Sequence, residues 1–191
     1  GVFMNVKANK VVSELADVRS FEAFPSCGDE SLPIGACYLE ARDLGAQPAP
    51  IEHCYLGNDL SPEECLQAVA AAGDRVTAEE PQDMADRVAQ ILAEGEIVAR
   101  AAGPMEFGAR ALGNRSILAD PRNQDVVRVI NMMIKKRDFW MPFAPVVLRR
   151  RAAAYFTNPK DLPSPFMMNT FDSTDHRQDY MAAVHNADLT A

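Results

Sequence analysis

The 191-residue chain carries 27 acidic against 19 basic residues, a formal charge of −8, with 48% hydrophobic and 24% charged residues, an ordinary balance for a soluble globular protein. The acidic balance argues against a coat for nucleic acid, and no apolar run approaches the roughly 18 residues a membrane span needs, so neither is an expected partner. Four cysteines (Cys27, Cys37, Cys54, Cys65) without a Cys-x-x-Cys pair, and three scattered His, argue against a zinc site and for a cytoplasmic chain with reduced thiols.

The chain begins on Gly1-Val-Phe-Met with no signal-peptide pattern and ends on Leu189-Thr-Ala191 without a polar tail, so it is expected to be a piece of a longer polypeptide. Val2, Phe3, Val6, Val11, Val12 and Leu15 recur at near-helical spacing and predict a helix from Val2 to Leu15, with a break near Asn9. Ser20–Pro25 alternates apolar and polar residues and predicts a short strand. It leads into Ser26-Cys-Gly-Asp29-Glu-Ser and a helix from Leu32 to Leu44. At that junction Asp29 either approaches a metal-bound nucleotide or caps the helix that follows.

Gly45-Ala-Gln-Pro-Ala-Pro50 marks a linker. After it, Cys54–Gly57 reads as extended, and Ser61-Pro-Glu-Glu64 starts a helix from Pro62 to Ala72 that stops at Gly73. A second helix is expected from Glu80-Pro81 to Ala93, with Met84, Val88, Ile91 and Leu92 on one face. Glu96–Ala101 is a predicted strand that delivers Arg100 and a Gly-Pro-Met-Glu-Phe-Gly turn, and Arg115–Ala119 is another. A helix from Asn123 to Lys135 follows, then a strand Phe143–Leu148, a basic helix Arg149–Phe156, a strand starting at Pro163–Met168, and a polar loop His176–Tyr180.

Charge is unevenly spread. Residues 100–151 hold 11 Lys and Arg against four acids, a local +7, which leaves −15 for the remainder. A basic island in an acidic chain is a focused field for an anion. Arg100 on the strand, Arg110 and Arg115 on the glycine-rich turn, and Lys135 with Arg137 after the helix are the candidate ligands of a phosphorylated small molecule. Backbone N–H groups around Gly108, Gly113 and Gly113-Asn-Arg-Ser116 are expected to face the phosphate beside the guanidinium forks. Neither a Gly-x-x-x-x-Gly-Lys loop nor a strand-led Gly-x-Gly-x-x-Gly is present. Phe139 and Trp140 either stack a base or fill a core. His185 becomes a general base if Asp188 orients it, and otherwise is an ordinary polar residue.

Phe107-Gly-Ala-Arg-Ala-Leu-Gly-Asn-Arg-Ser-Ile-Leu-Ala-Asp-Pro-Arg122 with Ile134-Lys-Lys-Arg-Asp-Phe-Trp-Met-Pro-Phe-Ala-Pro145 resembles the C-terminal region of the O-carbamoyltransferases of nodulation-factor and antibiotic biosynthesis. Pro25-Ser-Cys-Gly-Asp29-Glu resembles the closing part of that family's N-terminal domain, and His185-Asn-Ala-Asp188-Leu-Thr-Ala191 its His-x-x-Asp-x-Thr-Ala motif.

The resemblance implies an α/β fold. Residues 1–45 would be the tail of an actin/Hsp70-like domain and 46–51 a linker. Residues 52–191 would be a YrdC-like domain with a twisted open mixed sheet, preceded in the chain by that tail. It implies activation of carbamoyl phosphate with ATP to carbamoyl adenylate, then transfer to a hydroxyl of an unknown small-molecule acceptor. Lys135, Arg137 and Arg115 would act in catalysis. Arg100, Arg110, Asn114, Arg115, Ser116, Lys135, Arg137, His185 and Asp188 would bind substrate or nucleotide, and Asp29 would ligate a divalent metal (Fe2+ or Mg2+) in the full-length protein. A homodimer is among the assemblies expected. Ala109, Met141 and Ser31 stand where the family often has Pro, Arg and Gly. The alternatives are a threonylcarbamoyl-adenylate synthase, a hydrogenase-maturation carbamoyltransferase, and a non-catalytic RNA- or nucleotide-binding module.

Overall fold

Asn5 sets the start of the first helix, because its side chain accepts the amide of Ala8 at 3.0 Å. The computed structural model describes residues 1–191; in it helix α1 runs Val6–Glu14, and Val2–Met4 forms a separate 3-10 turn. The expected break therefore falls at Asn5, not Asn9. The buried positions of α1 are also polar and not the apolar ones of the spacing. Asn9, Lys10 and Ser13 are buried, whereas Val11 and Leu15 are more than half exposed.

The reason is polar. Asn9 Nδ2 donates to the carbonyls of Phe3 (2.7 Å) and Met168 (2.6 Å). Lys10 pairs with Glu14 at 2.7 Å and Asp172 at 3.0 Å. From the far side Lys160 Nζ donates to the carbonyls of Ser13, Leu15 and Val18, closing the helix C-terminus. Five long-range polar contacts outweigh the pull of an apolar stripe that has nothing to pack on.

Residues 20–25 join no ladder, contrary to the predicted strand. A 3-10 turn Asp29–Ser31 leads into helix α2, Leu32–Asp43. Helix α3, Pro62–Ala72, carries a capping box: Ser61 Oγ accepts Glu64 N at 3.1 Å, and Glu64 accepts Ser61 N at 2.9 Å. Helix α4 spans Met84–Ala93 and starts later than predicted, because Asp83 takes the amides of Ala85 and Asp86.

Strands β1 (Val98–Ala101) and β2 (Arg115–Leu118) pair antiparallel, with Arg100 opposite Ser116 and Ala101 opposite Arg115. Residues 102–114 form the loop between them. Helix α5, Asp125–Val129, runs into a π turn, Ile130–Ile134, within the predicted helical stretch. Residues 143–148 form no strand, since Pro142 and Pro145 have no N–H to give a ladder. The predicted basic helix is a 3-10 turn Arg149–Arg151 and helix α6, Ala152–Tyr155, after which Phe156 enters strand β3 (Phe156–Thr157). Its antiparallel partner is β4, Asp172–Ser173. Pro163–Met168 is a turn and not a strand, and the predicted polar loop lies in a 3-10 stretch, Asp175–Ala183.

The fold is thus mixed helix and sheet, and its regular sheet is two separate antiparallel pairs. One small core joins Val126, Ile130 and Ala182 to Ile97, Ile117 and Phe143. It seats α5 and the π turn on the β1–β2 pair. A second gathers Tyr180, Ala183 and Val184 with Tyr155 and Phe156. The exposed surface is 13668 Å², against about 9,000 Å² for a compact monomer of 20.9 kDa. With apolar burial this sparse, hydrogen bonds and ion pairs set the positions of many segments. No helix is long and apolar enough to cross a membrane.

Candidate functional site

The loop between β1 and β2 is organised by a residue that the sequence reading passed over. Glu106 Oε1 accepts the amides of Leu112 (3.0 Å), Asn114 (2.7 Å) and Arg115 (3.0 Å). Gly113 N, between them, donates to Ser116 Oγ at 3.1 Å. Gly113 has φ +113°, a conformation that lets successive amides converge on one point. Burial pushes the Glu106 carboxyl up, but the amide hydrogen bonds outweigh it and hold it below the usual carboxylate range. The expectation that these amides face a phosphate is therefore corrected for Gly113, Asn114 and Arg115, whose N–H groups, with that of Leu112, are taken inside the loop.

The arginines are partly structural as well. Arg115 Nη1 donates to the carbonyls of Gly103 (2.9 Å) and Asn114 (3.0 Å), with Ala102 at 3.4 Å. Arg100 Nε donates to Gly113 O at 2.7 Å, and Asn114 Nδ2 to Pro104 O at 2.8 Å. Each guanidinium keeps further N–H groups for a ligand. Ser116 lies in the same turn through its bond to Gly113.

Arg110 points the other way. Its Nη2 donates to Met4 O at 3.3 Å, and its Nε is buried without a partner. Beside it, Gly108 (φ +104°) packs so closely that a Cβ would stand 3.3 Å from Pro25 O. The rings of Phe24 and Phe107 meet at 6.3 Å. The loop thus leans on the segment that leads to Asp29, which sequence spacing alone does not reveal.

Lys135 and Arg137 follow the π turn. Asn131, fully buried, donates to the carbonyls of Phe139 (3.1 Å) and Met141 (2.9 Å) and accepts Arg137 Nε at 2.6 Å. The Arg137 guanidinium also lies 4.8 Å from the Phe143 ring centroid. Lys135 Nζ makes no hydrogen bond or ion pair within the chain, so its charge is unspent. Phe139 and Trp140 are mostly exposed and do not fill a core.

At the C-terminus His185 Nδ1 and Asp188 Oδ1 stand 3.1 Å apart, the pairing that orients an imidazole. Asp188 also accepts Thr190 Oγ1 at 2.8 Å and forms an ion pair with Lys7 of α1 at 2.8 Å. Lys7, aided by Thr190, holds its carboxyl far below the usual range against the opposing effect of burial.

Asp29 is exposed, and no side-chain capping bond is found at this turn. Its neighbour Glu30 is bonded to Ser26 Oγ. No three His, Cys, Asp or Glu side chains are grouped to hold an ion, so the donors present do not amount to a divalent-metal site. A groove of about 760 Å³ lies between residues 21–25, α2, 50–52 and 163–169, walled by Phe21, Phe24, Tyr38, Ile51 and Phe166. No Lys or Arg lines it, so it is separate from the basic side chains.

Residues 89–191 match the family model described as carbamoyltransferase C-terminus. The chain is 36% identical over 172 residues to nodulation protein NolNO of Sinorhizobium fredii, covering 87% of this chain and 25% of that protein. It is 37% identical over 183 residues to the uncharacterized protein sll1178 of Synechocystis sp., covering 90% and 29%. Nodulation protein U of Bradyrhizobium diazoefficiens is 34% identical over 192 residues, covering 100% and 32%. The chain spans about a quarter to a third of the length of these curated relatives.

Proposed function

The chain belongs to the carbamoyltransferase C-terminus family, and on that premise we propose that it forms part of an O-carbamoyltransferase. In this reading water cleaves carbamoyl phosphate to carbamate and phosphate, and a carbamate oxygen then attacks the α-phosphorus of ATP, forming carbamoyl adenylate as pyrophosphate leaves. The carbamoyl group then passes to a hydroxyl of a small-molecule acceptor, which gives up its proton as AMP leaves. Residues 52–191 would be the YrdC-like, adenylate-forming part with an open mixed sheet completed by further strands. Residues 1–45 would be the tail of an actin/Hsp70-like domain, and 46–51 the linker. The protein would work in the cytoplasm, and a homodimer is compatible with its large exposed surface.

The observation that supports this most is the loop Glu106–Ser116, held by its own carboxylate, with the π turn that carries Lys135 and Arg137 seated on the same β pair. Carbamoyl phosphate and ATP bring several negative charges together, and more charge moves onto the departing pyrophosphate in the transition state. Fixed cations lower that barrier without a covalent nucleophile. Lys135 would act as a point charge on a phosphate, with Arg137 and the remaining N–H groups of Arg115 as planar donors. Arg100, Arg110, Asn114 and Ser116 would bind or brace around them, and His185 with Asp188 would contact substrate. A metal of the full-length protein would meet this chain at Asp29.

The test is carbamoyl-phosphate-dependent ATP–pyrophosphate exchange by the full-length protein. Exchange that requires carbamoyl phosphate is the expected result. Its absence with divalent metal supplied would overturn the assignment.

A further inference from the structure

We infer that Glu106 is the positioning residue of the phosphate-binding loop, its carboxylate filling the anion seat that the main chain would otherwise offer a phosphate. The inference rests on the carbamoyltransferase reading for its substrate and on geometry for the rest. Amides that converge around a glycine with positive φ make a concave seat for an anion. Here three of them, at Leu112, Asn114 and Arg115, converge on one oxygen of Glu106, at 2.7 to 3.0 Å.

Glu106 itself cannot drift. Its neighbours are pinned on both sides: Phe107 N donates to Cys54 O at 2.6 Å, Met105 N to Asn58 O at 3.0 Å, and Gly57 N to Met105 O at 3.0 Å. Residue 106 also bridges Tyr55 in antiparallel fashion. The loop carbonyls are engaged too, Gly113 O by Arg100, Asn114 O by Arg115 and Leu112 O by Tyr55.

Two consequences follow. A phosphate at this loop is met by side chains, since the main chain from 112 to 115 has no free donor. The internal carboxylate also keeps stray small anions out of the seat, so an anion gains nothing from the loop unless the surrounding cations bind it as well.

The experiment compares Glu106→Ala and Glu106→Gln with wild type in the full-length protein, with acetate as the probe. Two quantities are read: hydrogen-exchange protection of residues 112–115, and carbamoyl-phosphate-dependent ATP–pyrophosphate exchange. Glu106→Ala is expected to lose protection across 112–115 and to raise the KM for carbamoyl phosphate about tenfold, the scale of one lost charged hydrogen bond. Added acetate should refill the seat and restore both. Glu106→Gln keeps an acceptor oxygen, so it should retain most protection with a smaller KM rise.

Unchanged protection in Glu106→Ala overturns the inference. Lost protection that acetate returns in neither readout also overturns it, because a collapsed loop would do the same. If Glu106→Ala does not fold, a Glu106→Gln protein with wild-type KM overturns it. If wild type shows no exchange, the carbamoyltransferase reading fails, while the protection measurements with acetate still decide the role of Glu106.

Discussion

Lys7 Nζ stands 2.8 Å from Asp188 Oδ2, so the first helix of the chain grips the carboxylate that orients His185 near its end. Removing Lys7 should release that carboxyl. Lys7→Ala is expected to raise the Asp188 titration toward the ordinary carboxylate range, read by carbon-detected NMR. Because Lys7 is half exposed, the stability loss should stay within about 1 kcal/mol. An unmoved Asp188 titration would mean that Thr190 alone sets it.

Acid should loosen the same structure. The carboxyls of Glu106, Asp120 and Asp188 are all held below their usual values, so the stability they contribute is present above about pH 4 and lost as pH falls through their lowered pKa values. For Asp120 the main cause is its paired hydrogen bonds with Arg122. Protection of residues 112–115 should therefore decline below pH 4 and stay level from pH 5 to 7, whereas the Lys7–Asp188 pair, whose carboxyl is held lower, should persist to more acid pH. Loss beginning near neutrality would point to other groups.

Asn131→Leu should be among the most damaging single changes. It strands the carbonyls of Phe139 and Met141 and one donor of Arg137 in a buried site, at a cost of about 2–4 kcal/mol. A lowered urea midpoint and weakened ATP binding are both expected, the second because Arg137 loses its anchor.

Lys135 and Arg115 should separate binding from folding. Lys135 has no partner inside the chain, so Lys135→Ala should weaken ATP binding about tenfold while stability changes by less than about 0.5 kcal/mol. Arg115 braces three carbonyls, so Arg115→Ala should lower both. Isothermal titration with thermal unfolding distinguishes them. Wild-type ATP affinity in both variants would remove the phosphate site from this loop and turn.

Ile130→Ala probes the joint between the two halves of the basic region. Ile130 is 3% exposed and packs in the core that seats α5 on β1 and β2. Its truncation should cost about 2–4 kcal/mol. It should also weaken ATP binding although the side chain is apolar.

Much of the local structure was legible in the residues. Ser61 starts α3 and Gly73 ends it, and the β1 and β2 runs lie where apolar residues cluster before and after the glycine-rich turn. The run Phe107–Arg122 with Ile134–Pro145 also carried the family resemblance, because side-chain identity in a long motif is a local property.

Other features depended on partners far along the chain. The apolar stripe of α1 predicted one buried face; Met168, Asp172 and Lys160 selected polar positions instead, because buried amides and ammonium groups must be satisfied and exposed Val and Leu need not be. What only the tertiary structure decided is which loop atoms remain available to a ligand. A carboxylate six to nine residues away consumed the amides, since the fold of 106–115, and not the order of its residues, sets which donors converge.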